Sequence, residues 1–241
     1  MSLRSVYCPV PGFRGDQVHI TGDEHRHLLV ARTEKDELIE ILDGKGNVWT
    51  AVVESVNKRE TIARLKESRQ SPPPPVDLIL AMAMIRIPAL ELALEKAVEV
   101  GVTRIVPFVA ARSNVGPGRR HDRWMRIIIE AAKQSKQYYL PRLDEVAGFS
   151  EVLSLPAASK IIFAERGGGP LKPALAGSPV LYLIGPEGGW TDEELAAAAQ
   201  NRFRPVSLGT ALLKAETAAI VGAAVIRYEM GCPLEMTGRI G

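Results

Sequence analysis

The sequence predicts an α/β protein in two parts: a small β-rich N-terminal domain over residues 1–70 and a larger domain over 76–241 built on a mostly parallel sheet. Three observations carry that prediction. The run SPPPP at 71–75 is stiff and extended, tolerated by neither a helix nor a central strand, and so reads as a linker. Beyond it, short apolar runs with little polar alternation have the pattern of strands buried on both faces, the pattern of parallel sheets. Helical stretches intervene, and strands alternating with helices define an α/β layer.

Taken in order, DEHRHLLVAR (23–32) is a short helical piece. Glu37–Leu42 and Val48–Val56 are β-prone runs joined by the hairpin signal Asp43-Gly44-Lys45-Gly46-Asn47, and Thr61–Leu65 continues as a third strand. Such spacing suits a small β-barrel or meander. After the prolines, VDLILAMAM (76–84), RIVPFVA (104–110), KIIFAE (160–165), PVLYLIG (179–185) and PVSLG (205–209) are the expected strands. Pro88 opens a helix with Leu90, Leu94, Ala97 and Val98 on one stripe. Asp122 is placed to cap a helix whose Trp124, Ile127, Ile128, Ala131 and Ser135 share a face. Thr191 and Glu194 form a capping box directly after a glycine loop. The last helix, from about Glu216 to Glu229, is apolar all round and is expected to be buried, in the core or against another subunit.

Bulk composition narrows the classes. The chain of 241 residues is 46% hydrophobic and 24% charged, as ordinary globular proteins are. No run approaches a membrane span, and the N-terminus lacks a signal peptide's apolar core. Cys8 and Cys232 lie far apart and form neither a disulfide framework nor a metal pair. The expectation is a cytoplasmic protein with reduced thiols and no metal. Net charge is only +2, but eight basic residues between Arg112 and Arg142 face two acids, Asp122 and Glu130. A phosphate backbone would seek such a segment, and a solvated, positive helix face balanced by acids elsewhere is the equal alternative. Arg26, His27 and Arg32 are further candidates for phosphate contact, with a solvated surface as the plainer reading.

Three strand ends carry unusual residues. IIFAERGGGP ends in Glu165, Arg166 and three glycines, LYLIGPEGG ends in Gly185–Gly189, and VSLGTALLKAETA turns at Gly209. In open α/β sheets ligands bind at the carboxyl ends of strands, and glycines let the backbone come close. A phosphate loop does not fit. GPEGG matches neither dinucleotide nor P-loop spacing, and Glu187 would repel a phosphate. A cationic or neutral ligand held by backbone groups fits better, with a tight strand-to-helix turn that holds no ligand as the alternative, and a side chain at Gly188 is expected to fill space that the ligand's approach needs.

IGPEGGWTDEEL followed by SLGTALLKAETAA resembles the paired C-terminal motifs of the SPOUT-class RNA methyltransferases, and within that class the ribosomal small subunit methyltransferase E family. EKAVEVGVTRIVPF, with Lys96, Glu99 and Gly101, is similar to that family's helix-to-strand signature. Arg112-Ser113, Arg123-Trp124, Glu130-Ala131, Gln134-Ser135 and Pro141 resemble its next motif, and HLLVAR with LIEILDGKGNVWTAVV its N-terminal RNA-binding domain. The resemblance covers essentially the whole chain. It implies a C-terminal domain with a deep trefoil knot, a PUA-like N-terminal domain that helps to grip RNA, and a homodimer with the site near the subunit interface.

The resemblance also implies S-adenosylmethionine bound by three loops, with no metal. These map onto Ala164 and Glu165, onto Ile184, Gly185, Pro186, Glu187, Gly188 and Gly189, and onto Leu208, Gly209, Leu213, Lys214, Ala215 and Thr217. The implied reaction is methylation of N3 of one uridine in the decoding region of 16S rRNA. The last motif departs from the family's usual L-G-P-R-I-L-R-T-E-T-A: Thr210 and Ala211 replace Pro-Arg, Lys214 replaces the second Arg, and Ala215 replaces the Thr. Ala89 stands where a basic residue is usual and Arg86 where a Lys is common.

A methyl sulfonium is already activated, so the enzyme must chiefly align it with the nucleophile at about 3–3.5 Å. Uridine N3 must lose its proton, either to a carboxylate or with a cation stabilising the anion. Glu216 is the first candidate base, Glu187 the second, and Lys214 the candidate cation. N3 lies on the pairing edge, so the target base must be unpaired or drawn out of its stack. Arg86, Arg112, Arg119, Arg120 and Arg123 join Arg26, His27 and Arg32 as candidate RNA contacts. The rivals are a 2′-O-ribose methyltransferase of the same class and a non-catalytic RNA-binding or assembly factor.

Overall fold

The computed structural model describes residues 3–9, 12–113 and 120–231. The chain falls into two units, Met1–Pro73 with Ile129–Leu140, and Pro74–Ile128 with Pro141–Gly241. In the first unit, β1 (Arg4–Tyr7), β2 (Phe13–Arg14), β3 (Gln17–Ile20), α1 (Gly22–Val30), β4 (Leu38–Leu42), β5 (Asn47–Val56) and β6 (Thr61–Gln70) follow one another. The sheet order is β1-β4-β5-β6-β3-β2. The expected hairpin is β4–β5, where the Asp43 carboxylate accepts the N–H groups of Lys45 (2.8 Å) and Asn47 (3.2 Å) and fixes the turn. Register shifts between Thr50 and Ala51 and between Val53 and Ser55 bend β5. Val6, Val18, Ile20, Ile39, Ile41, Ala51, Val53 and Ala63 close one core together with Leu28 of α1.

In the second unit, β7 (Leu78–Ala83), α2 (Ile87–Val100), β8 (Arg104–Val109) and α3 (His121–Ser135) lead to the short strands β9 (Arg142–Leu143) and β10 (Ala147–Gly148). Then come α4 (Phe149–Leu153), β11 (Ser159–Phe163), β12 (Val180–Ile184), α5 (Asp192–Gln200), β13 (Arg204–Val206) and α6 (Ala215–Glu229). The sheet runs β10-β8-β7-β12-β11-β13, with β9 also on β8, and every pairing is parallel. The five apolar runs are therefore its strands, β13 ending three residues earlier than expected.

The missing alternation has a simple cause. Ile79, Ala81, Ala83, Leu181 and Leu183 face Val152 and Leu153 of α4 and Ala198 of α5 in one core. The residues between them, such as Leu80 and Tyr182, are just as buried on the opposite face. There the Tyr182 hydroxyl donates to the Ala219 carbonyl of α6 (3.2 Å). Burial pushes the Tyr182 phenol far above its ordinary pKa, so it stays a neutral donor.

One helix expectation is corrected and a second is narrowed. Asp122 lies inside the first turn of α3, which starts at His121, and so acts on the helix dipole rather than as a cap. The last helix is not enclosed by the described residues of this chain. Ala215, Ala219, Gly222, Ala223 and Ile226 are buried, but Ala224 is exposed and Tyr228 is 77% exposed, because the described chain covers only one face. Among the described residues no helix is long and apolar enough to cross a membrane.

Candidate active site

The loops after β11, β12 and β13 leave the same edge of the parallel sheet. The loop after β11 lies against the stretch after β13: Ala164 N–H donates to Val206 O (3.0 Å), Gly169 N–H to Pro205 O (3.0 Å) and Ser207 N–H to Gly169 O (3.1 Å). A Cβ on Gly168 would stand 2.5 Å from the Ser207 nitrogen, so only glycine permits this approach. Ser207 Oγ then accepts from Gly209 N–H (3.2 Å) and lies 3.0 Å from Gly209 O, closing a turn at Gly209.

The glycine loop after β12 is tied at both ends. Trp190 Nε1 donates to Phe163 O at the end of β11 (2.9 Å). Gly189 N–H donates to Pro186 O (2.9 Å), and the capping box forms as expected: Glu194 N–H to Thr191 Oγ1 (3.2 Å) and Thr191 N–H to Glu194 Oε2 (2.9 Å). Trp190 stacks near Phe108 at 6.2 Å between ring centroids and packs against the core.

Sequence reasoning missed a third tie. Glu194, only 6% exposed, also accepts Ala111 N–H at Oε1 (2.8 Å). Next to it, Arg112 Nη1 donates to Gly188 O (2.8 Å) and Trp190 O (3.3 Å). The signal for Glu194 was visible only as a cap, because Ala111 lies 83 residues away in sequence.

The expected cofactor residues fall on these loops and their flanks, Ile184 ending β12 and Ala215 and Thr217 opening α6. Ala164, Ile184, Pro186 and Ala215 are buried, whereas Glu165, Glu187, Gly188, Gly209 and Lys214 are exposed. Gly185, Gly189, Leu208, Leu213, Glu216 and Thr217 are half-buried. Lys214 immediately precedes α6, and Glu216 lies in its first turn. Glu187 Oε1 accepts from Arg86 Nε (3.1 Å) and Arg86 N–H (3.4 Å) at the start of α2. The space beside Gly188 is filled by Arg112, whose Cβ and Cδ would lie 3.1 and 3.3 Å from an added Cβ, so that glycine makes room for an arginine and not directly for a ligand. Gly189 (φ +69°) and Gly209 (φ +115°) instead have nothing within 4 Å of an added Cβ. Open space beside left-handed backbone at two strand ends is a cradle that a bound group can approach.

Much of the basic segment is balanced by acids, the alternative that its sequence left open. Arg123 forks onto Glu91 (2.5 and 2.7 Å), and Arg142 pairs with Asp144 (2.8 Å). Lys133, 5% exposed, donates to Glu24 (3.0 and 3.1 Å) and Glu130 (2.7 Å). Lys136 donates to Glu40 (2.7 Å), Ser5 Oγ (2.6 Å) and Leu3 O (3.2 Å). Acids near and far in sequence neutralise much of the local excess. Arg120 is exposed at the start of α3. Arg119 and Cys232 lie outside the described residues. In the first unit Arg26 pairs with Asp23 (3.0 Å), while His27 and Arg32 are exposed. Among the described residues no group of three or more His, Cys, Asp or Glu could hold a metal ion.

A parallel α/β unit whose tied glycine loops crowd one sheet edge, preceded by a small β unit, is the architecture of an RNA methyltransferase with an accessory RNA-binding domain. Residues 72–227 match the RNA methyltransferase domain family and residues 20–66 the RNA methyltransferase PUA domain family. The chain belongs to the ribosomal RNA small subunit methyltransferase E family. The Synechocystis member is 30% identical, over 94% of this chain and 77% of that protein. A crystal structure of the Neisseria gonorrhoeae member bound to S-adenosylmethionine has 28% identity and a TM-score of 0.88, over 94% of this chain and 98% of that one. A Legionella pneumophila methyltransferase in complex with the same cofactor has 26% identity and a TM-score of 0.89, over 95% and 98%.

Proposed function

We propose that this chain methylates N3 of a uridine in the 16S rRNA of the small ribosomal subunit, using S-adenosylmethionine. The observation that carries the reading is the cradle itself: three tied loops, with open space beside Gly189 and Gly209, in a chain of this family. The residues fit the cofactor. Ala164 and Glu165, Ile184–Gly189 and Leu208–Thr217 offer mainly backbone groups, and Glu165, Glu187 and Glu216 are carboxylates suited to a cationic sulfonium. When bound, the cofactor supplies an activated methyl group.

Glu216, half-buried in the first turn of α6, is assigned the uridine N3 proton, and Lys214 the stabilisation of the resulting anion. Glu187 is engaged by Arg86 and is assigned to loop architecture and charge complement rather than proton transfer. The trefoil knot enters this reading through family membership, and the open face of α6 supports a homodimer. Action in the cytoplasm accords with a ribosomal substrate. Domain limits of 1–70, 71–75 and 76–241 complete the reading.

Mass spectrometry of nucleosides from small subunits treated with protein and cofactor tests it. The expected product is 3-methyluridine. A 2′-O-methylated product overturns the choice of atom, and RNA binding without any methylated product overturns the enzyme.

A further inference from the structure

Arg112 belongs to the basic segment and by charge alone would be an RNA contact. Its geometry assigns it elsewhere. The turn that presents it is rigid: Ser113 N–H donates to Ala110 O (3.0 Å), and Ala110 N–H donates to Ser113 Oγ (3.0 Å). The buried Glu194 carboxylate fixes the same turn by accepting Ala111 N–H (2.8 Å), while its other oxygen accepts Thr191 N–H (2.9 Å) beyond the glycine loop. From this mount, Arg112 Nη1 reaches the carbonyls of Gly188 and Trp190 at 2.8 and 3.3 Å. The stem of Arg112 also packs against the face of Gly188 where any other residue would carry a side chain.

We infer that Arg112 is a positioning residue of the cofactor site, its Nη1 fixing the Gly188 carbonyl of the Gly185–Gly189 loop and the Trp190 carbonyl just beyond it. The inference rests on the methyltransferase reading and assigns Arg112 a role in cofactor affinity, not in RNA affinity. A guanidinium suits the task because it is planar, always charged and offers several donors in a fixed fork. By engaging Gly188 O and Trp190 O it orients the peptide units between them. A loop pre-set in this way loses less freedom when a ligand binds.

Calorimetry with S-adenosylmethionine and filter binding with a small-subunit rRNA fragment, on wild type and Arg112→Ala, separate the roles. The expected result is cofactor affinity weakened on the order of tenfold or more, with RNA affinity and its salt dependence unchanged. Arg112→Lys, which keeps an aliphatic stem and the charge but replaces the planar fork with an ammonium, should fall between the two in cofactor affinity. If Arg112→Ala does not fold, by circular dichroism, Arg112→Lys carries the same comparison against wild type. Unchanged cofactor affinity with weakened RNA binding overturns the inference and leaves the methyltransferase reading standing. A wild-type protein that binds no cofactor overturns both.

Discussion

The glycine loop and the basic segment both stood out in the sequence, and the structure treats them in opposite ways. The loop Gly185–Gly189 is tied by Trp190, by the Thr191–Glu194 box and by Arg112, and its backbone lies open at Gly189. The segment from Arg112 to Arg142 suggested a phosphate-facing patch, yet Lys133, Lys136, Arg123 and Arg142 are engaged by Glu24, Glu40, Glu91 and Asp144. The difference lies in where the determinants sit. A glycine's conformational range belongs to the residue and its neighbours, whereas a charge is defined by whatever the fold brings beside it.

Substitutions can break or sharpen that contrast. The largest effect is expected at Gly168, where a valine would drive Cβ into the Ser207 backbone. Gly168→Val should cost about 3 kcal/mol or more in urea unfolding, because backbone cannot yield as a side chain can, and should abolish cofactor binding. A mild loss would show that the two loops do not need their present contact.

Next comes the segment's buried cation. Lys133→Ala leaves Glu24 with its charge largely buried and its lysine gone, which should cost about 3 kcal/mol while leaving the salt dependence of RNA binding unchanged. A flatter salt dependence with full stability would return Lys133 to the RNA surface.

A smaller effect is expected from acid. Burial raises the Glu40 carboxyl, but hydrogen bonds and charge from Lys136, with Ser5 and Tyr138, outweigh it and hold the folded value below the ordinary one. The folded pKa is thus below the unfolded one, so the stabilisation is present above the ordinary glutamate value and is lost as pH falls through the lowered one. Urea unfolding between pH 7 and pH 3 should show Glu40→Gln less stable than wild type at neutrality and losing less on acidification. Parallel curves would remove Glu40 from the acid response.

The smallest effect is expected from Arg120→Ala. This exposed residue at the start of α3 should weaken rRNA binding modestly and across sequences, reducing the salt slope by about one, with no change in stability.

Much of the fold was legible because its signals are local. Five unalternating apolar runs, the Asp43–Asn47 turn, Pro88 and the Thr191–Glu194 box each specify an element through nearby residues. The expected cofactor residues lie on strand-end loops for the same reason: strands must stop, and glycines mark where. What stayed hidden was pairing at a distance. Glu194 was readable as a cap but not as the acceptor for Ala111, and Arg112 as a charge but not as a clamp on Gly188 and Trp190. The inclusion of Ile129–Leu140 in the first unit had no sequence signal either, since it depends on Lys133 and Lys136 meeting Glu24 and Glu40.

The sequence by itself determined the order and kind of the elements, the strand ends that carry glycine, and the family. The tertiary structure alone decided which charges are neutralised, which face of α6 is covered and which residue holds the glycine loop. Periodicity and turn chemistry act over a few residues, whereas ion pairs and packing partners are chosen by a topology that brings together residues about a hundred positions apart.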